Sequence, residues 1–161
     1  MNRVARKRAF SASERPDTHR GVKVQRLTMG GHSVTLEPPD ISRVVLRGDI
    51  SAMEMLSVLG IVRAFAEERG RVFLLIDARG LGGIPVDARK AICEGASIPI
   101  RGTAIYGASF QSRILCTLVM GALQLFTTQH DNPVVFLPDE ESAFGWVTQR
   151  RASLDAMAVA S

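Results

Sequence analysis

Residues 107–113 read Gly-Ala-Ser-Phe-Gln-Ser-Arg and sit between a short apolar run and a long apolar stretch. A strand-to-helix junction of this kind is where an α/β hydrolase carries its nucleophile elbow, Gly-x-Ser-x-Gly. Ser109 takes the serine position, but Gln111 stands where the second glycine belongs. In that fold an acid and then a histidine follow the serine along the chain. The only later histidine is His130, and no Asp or Glu lies between the two. A hydrolase using Ser109 is therefore an alternative only; the chain reads as a non-enzyme with no catalytic residues. The same junction suits a helix cap by Ser109 or Ser112. It also suits anion binding, with free N–H groups, both hydroxyls and Arg113 around a phosphate or carboxylate.

A second group follows the run Val72–Ile76, where Asp77 and Arg79 close a strand pattern. One reading has them rim a ligand site. The other has Asp77 bonding loop amides and Arg79 in water. Gly80, Gly82 and Gly83 lie beside them, yet neither G-x-G-x-x-G nor G-x-x-x-x-G-K-[ST] is present, so no nucleotide fingerprint exists. The expected ligand edge is thus Asp77, Arg79, Gly107, Ser109, Ser112 and Arg113, at the carboxyl ends of parallel strands. Its occupant would be small, and apolar or anionic. His19, His32 and His130 share no ligand spacing, and Cys93 and Cys116 form no C-x-x-C pair. No metal site and no cofactor are expected. Both thiols read as reduced core residues.

Charge divides the chain. Residues 1–26 hold eight basic and two acidic residues, a net +6, whereas the whole chain is +4, so the remainder carries −2. Arg6, Lys7 and Arg8 form the densest basic cluster, which would meet nucleic acid or an acidic surface weakly if at all. Residues 1–28 read as a disordered tail, with Val22-Lys23-Val24 as a possible short edge strand. The basic residues of Met1–Phe10 have no apolar segment behind them, so no secretory signal is expected. The stretch 114–126 falls short of the ~20 residues that span a bilayer. A cytoplasmic protein is the expectation.

These residues need a frame. His32–Glu37 and Ile41–Leu46 alternate and flank Pro38-Pro39-Asp40, which predicts an antiparallel hairpin. Ser51 and Glu54 form a capping box for a helix carrying Met55, Leu56, Leu59, Val62 and Ala66 on one stripe, with Gly70 ending it. VFLLI (72–76), TAIY (103–106) and VVFL (134–137) predict strands buried on both faces. Ala78–Ile84 reads as a loop and Pro85–Glu94 as a helix. Residues 112–126 read as a helix with Leu115, Leu118, Val119 and Leu123 inward. The last helix starts at Pro138-Asp139, buries Ala143, Phe144 and Val147, and ends at Arg150 and Arg151. The order ββαβαβαβα implies an α/β domain over 29–152. Its sheet would be mixed and mostly parallel, five-stranded, with about four helices and a tail over 153–161.

The segments VVLRGDIS, VFLLIDARGLGGI, TAIYGASFQSRIL and PVVFLPDEESAFGWV resemble a SpoIIAA-like STAS domain over residues 32–151. The resemblance implies a mixed sheet with helices mostly to one side, and a bacterial signalling or binding role. Anti-sigma factor antagonists of the STAS family carry a phosphorylatable Ser or Thr just after an Asp that closes the central strand. Here Asp77 and Gly80 match, but Ala78 and Arg79 offer no hydroxyl, so that switch is expected to be absent. The SpoIIAA-like fold is similar to CRAL-TRIO domains, whose members bind apolar ligands beside the sheet. The combined expectation is a regulatory or interaction module with a protein partner. A carrier of a small apolar or anionic ligand is the alternative.

Overall fold

The computed structural model describes residues 17–19, 22–126 and 131–160. Arg6, Lys7, Arg8 and His130 lie outside them. Seven strands form one sheet in strictly sequential order: β1 (Asp17–His19), β2 (Val22–Met29), β3 (His32–Glu37), β4 (Ile41–Gly48), β5 (Val72–Leu81), β6 (Ile100–Tyr106) and β7 (Val134–Leu137). β1 to β4 pair antiparallel, and β4 to β7 pair parallel. The expected mixed sheet is present, with VFLLI, TAIY and VVFL side by side, but it is not mostly parallel: three of its pairings are antiparallel and three parallel, because β1 and β2 extend the antiparallel side. Two strands more than the expected five lie at the amino end. The tail boundary at residue 28 is corrected by β2, whose Gln25–Met29 pair with β3 from Leu36 back to His32. Leu27 and Met29 share the face of Val34 and were too sparse to mark a strand by alternation.

The helices are α1 (Ala52–Arg69), α2 (Val86–Ile92), α3 (Phe110–Phe126) and α4 (Glu140–Val159), with a 3₁₀ turn at Cys93–Ser97. Because β4 to β7 advance in one direction, right-handed crossovers place α1, α2 and α3 on one face. The larger core lies there, joining Val44, Leu46, Leu74 and Ile105 to Val58, Val62, Ala88, Cys116 and Val119. α4 alone covers the other face, where Ile41, Phe73, Leu75, Ala104 and Tyr106 meet Ala143, Val147 and Leu154. Strand alternation sends neighbouring residues of β5 into different cores, which is why VFLLI is apolar throughout.

The capping box at α1 forms as expected, with Ser51 and Glu54 bonding reciprocally and Gly70 in the left-handed region at φ 80°. Several expectations are corrected. β5 continues through Ala78 to Leu81, since Gly80 and Leu81 pair with Arg47 and Gly48 after a register shift in β4. The α2 segment ends at Ile92 and tightens into the 3₁₀ turn. Leu56, Leu118 and Phe144 are exposed rather than inward. α4 runs past Arg150 and Arg151 to Val159, because Leu154 extends the stripe of Ala143 and Val147. The tail expected over 153–161 is therefore helix through Val159. The two arginines act sideways. Arg151 Nη2 lies 2.8 Å from buried Asp40, which also accepts from Arg71 Nε at 2.8 Å. Arg71 in turn meets Asp155 at 2.7 Å, tying α4 to the amino ends of β4 and β5.

Candidate site at the carboxyl edge of the sheet

Asp77 is the centre of the site. Its side chain is 3% exposed and faces the α4 side, next to Tyr106 across the β5–β6 pair. A buried carboxylate must be paired and hydrogen-bonded. Arg79 supplies a fork, Nε to Oδ1 at 3.0 Å and Nη2 to Oδ2 at 2.7 Å, and adds its backbone N–H to Oδ1 at 3.0 Å. Arg47 donates from Nη2 to Oδ2 at 2.8 Å. Burial alone would raise the Asp77 carboxyl. The Arg79 and Arg47 hydrogen bonds outweigh it and hold the group below the ordinary carboxylate range. The same bonds raise the Arg79 guanidinium. Burial, then the Asp77 charge, raises the Tyr106 phenol.

Two glycines make room for these arginines. A Cβ on Gly80 would come within 2.4 Å of Arg47 Cδ. One on Gly107 would come within 2.1 Å of Arg79 Cγ, and Gly107 also sits at φ 67°. Each arginine thus lies against bare backbone of the neighbouring strand end, and Arg79 stacks over Tyr106 at 5.6 Å. Gly107, expected as part of an anion cradle, serves as the floor under Arg79.

Arg47 is held twice. Its backbone N–H donates to His32 Nδ1 at 3.2 Å, and His32 Nε2 bonds Asp49 O at 3.2 Å. Both ring nitrogens are used if the proton sits on Nε2. Glu54 lies 3.7 Å from Nε2, and its hydrogen bonds from Ser51 keep its carboxyl lowered. His32 thus braces the strand end through both ring nitrogens. Among the described residues no cluster of His, Cys, Asp and Glu could hold a metal. Cys93 and Cys116 are free, and burial pushes the Cys116 thiol up to about 11, far from a reactive thiolate at neutral pH.

The remaining candidates separate. Ser109 Oγ accepts from Ser112 N at 3.1 Å and donates to Ser112 Oγ at 2.9 Å, so it caps α3. Arg113 stands on the opposite face from Asp77, over Phe136 of β7 at 5.6 Å, and is not part of the cluster. Ser109→Ala should cost about 1 kcal/mol through the lost cap. Turnover of a p-nitrophenyl ester, read beside the urea midpoint, should not change. A loss of turnover would restore the hydrolase alternative.

Sequence reading missed Arg47, Tyr106 and His32. The alternation Arg43, Val45, Arg47 places Arg47 on the Asp77 face, a usable signal once β4 and β5 are known to be parallel neighbours.

No family model and no curated protein matches the chain. Among solved structures it is similar to a protein of the DUF3478 family from Shewanella loihica PV-4, itself uncharacterised and described as having a SpoIIAA-like fold. The identity is 14% and the TM-score 0.47, over 81% of this chain and 96% of that one. That description names the fold which the sequence resembles. Among the described residues no helix is long and apolar enough to cross a membrane.

Proposed function

We propose that this chain is a non-catalytic regulatory or interaction module of the cytoplasm. It would recognise an anionic group of a protein partner through Arg47 and Arg79. The observation that carries the reading is the mounting of these two guanidiniums. They are 41% and 60% exposed, yet both are fixed to one buried carboxylate. Arg79 Nη1 has no hydrogen-bond partner among the described residues. A preorganised guanidinium loses little entropy on meeting a carboxylate or phosphate.

Chemistry at this edge is disfavoured by how its polar groups are used. Asp77 is consumed by the arginines, and Ser109 by its cap. Residue 78, after Asp77, is an alanine and carries no hydroxyl to phosphorylate, which supports a reading without that switch. The resemblance to STAS domains adds bacterial signalling as a setting for a module that binds without a phospho-switch.

The test is calorimetric titration of the whole chain with phosphoserine and with N-acetyl-aspartate. Arg79→Gln removes the charge and the fork, and should weaken binding about tenfold or more, as loss of a charge-assisted pair does. Equal affinity in wild type and variant, or no heat with either anion, overturns the reading. Tight binding of a free metabolite without any protein partner would instead favour the carrier.

A further inference from the structure

Helix α3 turns Ser112, Cys116, Val119 and Leu123 inward. Its opposite side presents Phe110, Ile114, Leu118 and Leu125, which are 78%, 48%, 63% and 84% exposed. Steps of four, four and seven residues put all four on one stripe. Thr117 and Gly121 lie along the same stripe, and a Cβ added at Gly121 would meet nothing within 4 Å. Within the whole helix Arg113 is the one charged residue, and it is engaged over Phe136.

We propose that this stripe is the interface of a two-fold homodimer, with α3 packed antiparallel on α3 of a second copy. Three features select that occupant. From the sizes of such side chains, the four expose about 500 Å² of apolar surface, the upper range for a monomer. Two stripes together hide on the order of 1,000 Å², the threshold of a specific interface. The stripe is self-complementary, as an isologous contact requires. It carries no charge seeking a counter-charge, and the open position at Gly121 can receive a large side chain of the partner. The border of the molecule is also open there, since β7 pairs only with β6 among the described residues and its Val134–Leu137 bear no charge. A membrane surface fits less well. Helices lying in that interface flank their apolar stripe with several Lys and Arg, and α3 has Arg113 alone.

Sedimentation equilibrium of the whole chain should give a dimer mass. Leu118→Glu would bury a carboxylate at the centre of the stripe and should raise the dimer dissociation constant at least about a hundredfold. Leu125→Glu should do the same toward its end. Both positions are exposed, so the melting curves of the diluted variants should match that of the diluted wild type. A wild-type monomer at every concentration overturns the proposal, as does a dimer that both variants leave intact. Monomers that float with phosphatidylcholine vesicles, and cease to float with Leu118→Glu, would assign the stripe to a membrane and also overturn it.

Discussion

Replacing Asp77 by alanine should lower stability by about 3 kcal/mol at neutral pH. The substitution removes the hydrogen bonds that the carboxylate accepts from Arg79 and Arg47, each worth about 1.5–3 kcal/mol, and water takes the two exposed arginines back, which leaves a net loss near the value of one or two such bonds. The loss should depend on pH in a defined direction. The folded carboxyl is held below its ordinary value of 3.8, so the unfolded chain takes up the proton first as pH falls. The stabilisation is complete above that value and disappears as pH drops beneath it. Urea midpoints across the acid range should therefore converge for wild type and Asp77→Ala. Parallel curves would show that Asp77 is not the anchor of the two arginines.

Phe73→Ala should cost about 4 kcal/mol, within the range for truncating a buried aromatic. Phe73 is fully buried in the smaller core under α4, beside Leu75, Ala104 and Val147. That core has few members, and α4 is the one helix covering it. The substitution should consequently release α4 ahead of the rest. Amides of Val147–Leu154 should lose hydrogen-exchange protection while those of Val58–Phe65 keep theirs. Uniform loss across both helices would mean that the two faces unfold as one unit.

Much of this frame was legible in the residues. The runs VFLLI and TAIY mark strands covered on both faces, VVFL marks a strand but is only half-buried at the sheet border, and Ser51, Glu54 and Gly70 mark the ends of α1 without tertiary information. What escaped depended on contacts between distant segments. The end of β5 is set by pairing of Gly80 and Leu81 with Arg47 and Gly48 across a shifted register, which no local pattern reports. The length of α4 is set by Leu154 and by Asp155 meeting Arg71. The outward turn of Leu118 and Phe144 reflects which side of each helix the sheet occupies; an apolar helix with stripes on two sides does not reveal which is inner. The site shows the same division. Asp77 and Arg79 were visible as a pair at a strand exit. Arg47, thirty residues upstream of Asp77, joined them only through the parallel register of β4 and β5.

The most direct examination of the edge as a recognition surface is a map of backbone amide shifts as phosphoserine is added to the full chain. Binding at the two mounted guanidiniums predicts that amides of Arg79, Gly80 and Gly107 move together and saturate with one affinity, and that the response is lost in Arg79→Gln. Shifts centred elsewhere, or a response at those amides that persists in Arg79→Gln, would contradict it.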